Sequence, residues 1–385
     1  MRITRVEIYP LTKIRYQGIW RLSRGVAGGP DMKWGFNVIV RLRTDEGLVG
    51  WGEVGPINPY QGETTWSIAV ALERFYGPLL IGRDPWDVGS LHVAMEGILP
   101  DNPHARTAVD LALYDLMGKA SGQPVYKLLG GLQHERVPLK FPVAQAEPEE
   151  MVQEACRIVE ETGSRYLKVK IGGIERLPKD LVVLAALRRQ FGDSVRIQID
   201  ANASYQSVHE ALSALRRMEE YNPVLIEQPL PRWHVDGMAE IAAALETPLL
   251  ADESCWSPHD AFKLLKARAA DVLNVKIPKA GGLYHSKQIA SIAEAAGAQV
   301  FVGSTAETGV GGAAGVHFYA STRNMWPVVA CLFGTYWLVH DMLTDATRFR
   351  LKDGYVEPPS APGLGIEVDE DALRTYSEDP IIVDG

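Results

Sequence analysis

The chain is 385 residues long, with 46% hydrophobic and 23% charged residues, an ordinary globular balance whose length predicts two or three domains. The net charge of −9 includes no long block of one sign, which argues against a nucleic-acid-binding face. Three scattered cysteines and the absence of a long apolar run indicate neither a disulfide framework nor a membrane span, so we expect a cytoplasmic protein with no membrane partner.

Residues 1–135 predict an N-terminal α+β domain. The segment "MRITRVEIYPL" alternates like a strand and lacks the apolar core of a signal peptide. "FNVIVRLRTDEGLVGWGEV" predicts a hairpin that turns at residues 45–47, and three helical patterns follow, the last ending at Gly122. Residues 16–35 interrupt the first two strands with polar, glycine-rich sequence. A loop of this length in a compact domain is typically a functional lid or disordered.

Residues 136–340 predict a barrel. Eight short apolar runs, from "PLKFPVA" to "MWPVVA", alternate with helical patterns at the spacing of a β-α unit. No clear helix follows the last run, so seven full units with a modified eighth fit as well as a complete barrel. Residues 341–385 are too poor in apolar side chains for a core of their own. The predicted fold is therefore α/β, a modified (β/α)7β-type TIM barrel with an α+β capping domain formed by the N-terminal region and the C-terminal tail.

Charged residues stand at the predicted carboxyl ends of successive barrel strands, where barrels of this type carry their active sites. They are Lys168 and Lys170, Asp200 and Asn202, Glu227, Asp252 and Glu253, Lys276 with Lys279 just beyond it, and Glu307 after the next strand. Each one alone has an ordinary interpretation as a solvated or helix-capping side chain. Five chemically matched strand ends in succession favour a catalytic site.

Three of these residues indicate a metal site. Asp200, Glu227 and Asp252 follow one another at one β-α repeat each. Three oxygen-donor side chains without histidine or cysteine suit a hard cation, Mg2+ or Mn2+. Without a cation, clustered carboxylates repel one another and their pKa values rise.

The lysines indicate proton transfer. Lys170 and Lys276 lie roughly opposite each other across the predicted barrel mouth, so a substrate between them can lose a proton on one face and receive one on the other. Removal of a proton beside a carboxylate needs the enediolate charge neutralised, which a divalent ion can do. A lysine base must be neutral, and the like charge of Lys168 lowers the pKa of Lys170.

These residues resemble the enolase superfamily, in its muconate-lactonizing-enzyme subgroup, over nearly the whole chain. The matching stretches are "KVK", "IDAN", "IEQP", "ADES" and "VKIPKAGG". The resemblance implies three metal ligands, an acid/base pair, a lysine that tunes the pair, and two supporting polar residues. The resemblance implies that Asp200, Glu227 and Asp252 are the metal ligands and that Lys170 and Lys276 are the acid/base pair. It implies that Lys168 is the tuning lysine and that Asn202 and Glu253 are the supporting residues. A lysine base with bound Mg2+ is a general property of the superfamily.

The resemblance leaves the reaction open. Strand seven has no histidine, which disfavours the mandelate-racemase type, and no Asp-x-Asp pair follows strand eight, which disfavours a dipeptide substrate. The segment containing Glu307 is similar to the muconate-lactonizing enzymes, whereas "FGTYW" departs from them. We expect a cycloisomerase acting on a small carboxylate. The alternatives are a racemase or epimerase of an amino-acid or betaine derivative, a dehydratase similar to o-succinylbenzoate synthase, and a non-catalytic anion-binding barrel.

Capping loops decide the substrate in this subgroup. Here the candidate side chains are Trp20, Arg21, Arg24 and Tyr60, and an arginine there can pair with a second carboxylate. The sequence "GVGGAAG" at 309–315 lacks the acidic residue of a nucleotide fingerprint, but its amides at a helix start can hold a substrate carboxylate. The resemblance also implies a homo-oligomer.

Overall fold

A computed structural model describes residues 1–15, 37–55, 62–327, 332 and 336–385, together with the backbone of residues 20–22 and 25–28. The strands are β1 Ile3–Leu11, β2 Trp20–Leu22, β3 Gly25–Gly28, β4 Asn37–Thr44, β5 Val49–Val54, β6 Val137–Pro138, β7 Phe141–Val143, β8 Tyr166–Lys170, β9 Arg196–Asp200, β10 Leu225–Glu227, β11 Leu249–Ala251, β12 Val272–Val275, β13 Gln299–Val302, β14 Tyr355–Val356 and β15 Ile381–Asp384.

The α-helices alternate with the barrel strands and cover the N-terminal sheet. They are α1 Thr65–Ala71, α2 Gly77–Leu80, α3 Val88–Ile98, α4 Pro103–Ser121, α5 Val125–Leu128, α6 Pro148–Thr162, α7 Leu177–Phe191, α8 Val208–Glu219, α9 Val235–Ala244, α10 Pro258–Lys266, α11 Ile277–Ala280, α12 Leu283–Ala295, α13 Gly309–Ala320 and α14 Glu370–Tyr376. Within the described residues, no helix is long and apolar enough to cross a membrane.

The capping sheet has four antiparallel strands in the order β15-β1-β4-β5. Its outer strand β15 comes from the end of the chain and pairs with β1, with Val6 opposite Val383. Helix α4 lies directly on β5, because Gly50 and Gly52 have no side chains to hold it away: a Cβ at either position would overlap the backbone of the helix. The long helix α4 ends where the sequence predicts, at Gly122, whose φ of 68° is left-handed.

The barrel is built on a sheet of seven parallel strands in the order β7-β8-β9-β10-β11-β12-β13. Each strand pairs with its sequence neighbour, and the connections between them contain helices. At the predicted eighth position, Met325 forms a parallel bridge with Val300, while residues 328–331 lie outside the described part of the chain. The predicted modified TIM barrel with an α+β capping domain is confirmed.

The interior of the barrel has an apolar side and a polar side. Leu225, Leu250, Val272 and Phe301 form a small buried cluster, separate from the main core. Residues two apart in a strand share a face, so the side chains that follow these on the same face are polar or small. They are Glu227, Asp252, Asn274 and Gly303. The inward-facing side chains are therefore apolar at one level of the barrel and polar or small two residues further along each strand.

Candidate active site

The pairing of the strands brings the predicted residues to one rim. Lys170 is the Cα partner of Asp200, and Asp200 is the partner of Glu227. Asp252 and Lys276 each come one residue after a strand ends, β11 and β12 respectively. The three carboxylates are at most 2% exposed, so water does little to stabilise their charge.

Lysine ammonium groups pair with each of the three carboxylates. Lys170 Nζ lies 2.5 Å from Asp200 Oδ2, and Lys168 Nζ lies between two carboxylates, 3.1 Å from Asp200 Oδ2 and 3.3 Å from Glu227 Oε2. On the other side, Lys276 Nζ is 2.6 Å from Asp252 Oδ2.

Lys279, also buried, is 2.7 Å from Asp252 Oδ1 and donates to the Asp252 carbonyl as well. Lys276 and Lys279 thus each contact a different oxygen of the Asp252 carboxylate. The charges of the cluster are therefore paired, as buried charges in proteins generally are.

The pairing shifts the pKa values of both partners. Burial lowers the pKa of Lys170, and the neighbouring Lys168 charge lowers it further, while Asp200 opposes both. The pKa of Asp200 lies below its usual value because Lys170 and Lys168 outweigh the effect of burial. Lys276 and Lys279 likewise hold the pKa of Asp252 well below its usual value against burial. Asp200 and Asp252 are therefore anions at neutral pH.

The donor set fits a hard divalent cation. Asp200, Glu227 and Asp252 offer only carboxylate oxygens, which Mg2+ prefers, on three adjacent parallel strands. In the described part of the chain, no three acidic, histidine or cysteine side chains are gathered closely enough to hold an ion as they stand. The Lys168 ammonium group stands between two of the carboxylates and balances their charge.

Glu227 is held from both sides by amide groups. Gln198, from β9, donates to Glu227 Oε2, and Asn274, from β12, donates to Glu227 Oε1 over 3.0 Å. Both amides are fully buried. Lys140, just before β7, donates over 2.8 Å to Gln198 Oε1.

Strained backbone supports the rim. Gln228 has a φ of 37° and Asn202 a φ of 43°, both in the left-handed region that favours glycine. The Gln228 side chain accepts from the backbone of Asp252 at 2.9 Å and of Ser254 at 3.2 Å, which fixes the turn after β11. Asn202 accepts from Lys170 Nζ at 2.9 Å.

Glu253 lies beside this hydrogen-bond network and contacts it through Asn202. Its Oε1 accepts from Asn202 Nδ2 at 3.3 Å, and its buried Oε2 has no hydrogen-bond donor among the residues that the structure describes. Burial, with the nearby charges of Asp252 and Asp200, raises the pKa of Glu253 to about 7. Both residues predicted to support the site therefore lie at it.

Glu307 bonds to its own loop. Its carboxylate accepts from Thr305 N at 3.0 Å, from Thr305 Oγ1 at 2.9 Å and from the Ser304 hydroxyl. The carboxylate is therefore engaged by the turn between β13 and α13.

The start of helix α13 is taken by the protein's own acids. Gly309 N donates to Asp341 Oδ1, and Thr308 N and Gly311 N donate to Glu53, a buried residue of β5, each over 2.7 Å. The expectation that these amides hold a substrate carboxylate was wrong, because carboxylates distant in the sequence already accept from them.

Four predicted substrate-contacting residues cannot be placed. Arg24 and Tyr60 lie outside the described residues, and for Trp20 and Arg21 the structure describes the backbone of β2 alone. Their proposed closure over the substrate stays a prediction.

Sequence reasoning missed three polar residues at the site, namely Lys140, Gln198 and Asn274. A signal was present for two of them. Gln198 precedes Asp200 by two positions and Asn274 precedes Lys276 by two, so alternation places them on the same inward face. No comparable local pattern identifies Lys140.

Two family models match the chain. Residues 32–130 match the mandelate racemase / muconate lactonizing enzyme N-terminal domain, and residues 150–372 match the enolase C-terminal domain-like model. The second match alone covers more than half of the chain.

Curated and solved proteins are similar over almost their full length. The N-succinyl-L-Arg/Lys racemase of Bacillus cereus is 32% identical over 97% of both chains, and its crystal structure superposes with a TM-score of 0.92 over all of both chains. Dipeptide epimerase from Enterococcus faecalis, solved with Mg and L-Leu-L-Tyr, has a TM-score of 0.87 at 31% identity, over 95% of this chain and 100% of that one. Muconate lactonizing enzyme from Pseudomonas fluorescens, solved with muconolactone, has a TM-score of 0.90 at 31% identity, over 98% and 99%.

Proposed function

Because the chain belongs to the muconate-lactonizing subgroup of the enolase superfamily, an enzyme family whose compared members are isomerases, we propose that it is a Mg2+-dependent isomerase. In this proposal it removes a proton from the carbon beside a substrate carboxylate and returns a proton to the same substrate.

The observation that carries the proposal is the pair of lysines on two sides of the carboxylate cluster. Lys170 stands on β8 against Asp200, and Lys276 follows β12 against Asp252, with strands β9, β10 and β11 between them. Two proton carriers that approach from different strands can serve opposite faces of one carbon. Each holds or takes the proton at its Nζ atom.

The carboxylates of Asp200, Glu227 and Asp252 would hold the Mg2+ ion. When bound, Mg2+ supplies the positive charge that offsets the negative charge developing on the substrate carboxylate. Lys168, which contacts both Asp200 and Glu227, contributes a fixed positive charge beside Lys170. That charge favours the neutral form of Lys170, which a base requires.

The two-lysine arrangement favours racemisation or epimerisation of an N-acylated amino acid. Inversion needs a proton to leave one face and another to arrive on the opposite face, so both lysines have a task. The similarity to the Bacillus cereus racemase over 97% of both chains supports this substrate class. Cycloisomerisation is the second candidate. It is supported by the similarity to the muconate lactonizing enzyme, but it needs just one of the two lysines.

A substrate panel separates the two candidates. The protein with Mg2+ is incubated with N-succinyl amino acids of both configurations, with dipeptides and with cis,cis-muconate. Loss of optical rotation reports racemisation, and loss of the muconate ultraviolet absorbance reports lactonisation. We expect turnover of the N-acyl amino acids; turnover of muconate alone would favour the second candidate. If no carboxylic acid exchanges its α-proton with D2O in the presence of Mg2+, the proposed function is wrong.

A further inference from the structure

A buried lysine lies next to the carboxylate cluster. Lys140 is fully buried just before β7. Its ammonium group donates over 2.8 Å to Gln198 Oε1 and stands 3.7 Å from the centre of the Phe301 ring. Burying a charged group is expensive, and both contacts fix the position of this one.

The Lys140 contact decides which way the Gln198 amide faces. A side-chain amide has an oxygen that accepts and a nitrogen that donates, and the two are similar in shape. An ammonium group has donors and no acceptor, so it selects the oxygen of Gln198. The amide nitrogen is then directed to Glu227 Oε2, to which it donates.

A turned Gln198 amide would damage the site. Its oxygen would face the Glu227 carboxylate, and two acceptors would meet without a proton between them. Asn274 already donates to the other oxygen, Oε1, over 3.0 Å. With both amides in place, each oxygen of Glu227 accepts from a fixed donor, which determines the rotation of the carboxylate.

We propose that Lys140 is a positioning residue that acts through Gln198 to hold the Glu227 carboxylate ready for a divalent cation. The nearby inward-facing side chains Leu225, Val272 and Phe301 are apolar. If packing were the only requirement at position 140, an apolar side chain would therefore be sufficient there. The inference rests on the proposed function, in which Glu227 is a metal ligand. Outer residues that orient metal ligands typically change metal affinity by about 10- to 100-fold.

The test is the dissociation constant for Mn2+, measured by electron paramagnetic resonance, in the full-length Lys140→Met protein. Met has a similar length and no donor, so the Gln198 amide loses its constraint. We expect binding to weaken by about tenfold or more. Coulomb's law alone predicts the opposite, since removal of a positive charge near the site should tighten cation binding. An unchanged or tighter dissociation constant therefore overturns the inference.

A matched control separates positioning from general destabilisation. Val272→Ala removes part of a buried side chain in the same apolar cluster as Phe301 and leaves both amide side chains in the sequence. It should lower the melting temperature and leave the Mn2+ dissociation constant within about twofold of the wild-type value. If Val272→Ala weakens Mn2+ binding as much as Lys140→Met does, Lys140 has a structural role and no more.

A double-mutant cycle tests the route through Gln198. In Gln198→Leu, the amide is gone, so the further change Lys140→Met should have little additional effect on Mn2+ binding. Additive effects would show that Lys140 does not act through this residue. Should Lys140→Met fail to fold, Lys140→Gln replaces it, because a neutral amide at this position no longer selects the Gln198 oxygen and should also weaken binding. The wild-type measurement separates failure of this inference from failure of the proposed function. A wild-type protein that binds no Mn2+ contradicts the proposed function itself.

Discussion

At the residue scale, the site depends on paired buried charges. Asp252 illustrates this, since Lys279 occupies Oδ1, Lys276 occupies Oδ2, and Gln228 accepts from its backbone amide. Removing one member of such a pair leaves the other charge buried and unpaired, which is strongly unfavourable. The lysines therefore keep the carboxylates ionised in the form that a cation binds.

Asp252→Asn tests the metal site at this scale. The neutral amide is a weaker ligand, so Mn2+ affinity should fall by more than about tenfold, and chelation of Mg2+ by EDTA should abolish the wild-type activity reversibly. The matched control is Asp271→Asn, an exposed aspartate at the start of β12 that accepts from Leu249 N. Equal Mn2+ affinities for the two variants, measured by calorimetry, would contradict the assignment of Asp252.

At the scale of elements, helix α13 shows what a local pattern can and cannot predict. The sequence places it correctly after β13. The amides of Thr308 and Gly311 donate to Glu53, which lies 255 or more positions earlier in the sequence. The amide of Gly309 donates to Asp341. Contacts of that separation depend on how the domains dock, and strand periodicity carries no information about docking.

The same helix carries a pH-sensitive group. His317 Nδ1 accepts from Tyr126 N at 3.3 Å and Nε2 donates to Leu364 O at 3.1 Å, an arrangement that requires the neutral ring. Burial lowers the pKa of His317 to about 4. The unfolded chain, with a pKa near 6.5, binds this proton first. The free energy of unfolding therefore falls as pH drops from about 6.5 towards 4, by at most about 1.4 kcal/mol per pH unit from this residue.

His317→Gln should reduce the pH dependence of stability. The glutamine does not titrate, so the difference between the unfolding free energies at about pH 7.5 and about pH 5 should shrink by about 1–2 kcal/mol. Urea unfolding at the two pH values measures it. His209→Gln, at an exposed histidine of α8, is the control and should keep the wild-type difference. An unchanged difference in His317→Gln would show that the ring is not held neutral.

At the scale of the whole molecule, the capping domain and the barrel meet at the site. The Thr107 hydroxyl of α4 lies within hydrogen-bonding distance of the carbonyls of Ile277 and Pro278, directly after Lys276, at 3.2 and 3.0 Å. Glu53 of the capping sheet holds the start of α13. The catalytic rim is thus supported from a domain that contributes none of the predicted metal ligands.

The end of the chain completes the capping sheet, so its removal should destabilise the protein. Deleting residues 379–385 removes β15 and leaves β1 as an open sheet edge. We expect a loss on the order of 2 kcal/mol in unfolding free energy, measured by urea titration, from the lost ladder hydrogen bonds. Asp384→Asn, which breaks an exposed ion pair with Arg5, should cost less than about 0.5 kcal/mol. If the truncated protein is as stable as Asp384→Asn, the pairing of β15 with β1 does not stabilise the protein as proposed.

The barrel and the gathering of charged side chains at one rim could be predicted from sequence because both follow from local regularities. Lys170, Asp200 and Glu227 come at strand ends, and parallel pairing of consecutive strands brings them together. Lys140 could not be predicted in this way. Its importance depends on Gln198 and Phe301, which lie on two other strands, and a lone lysine in a short apolar run gives no sign of burial.

If two lysines serve opposite faces of one carbon, proton NMR of the α-proton in D2O with Mg2+ should reveal it. Each enantiomer of a turned-over substrate is incubated with Lys170→Ala and with Lys276→Ala. We expect both variants to lose racemisation, and each to exchange the α-proton of one enantiomer still, a different one in each variant. Racemisation that survives in either variant, or exchange of the same enantiomer in both, would contradict it.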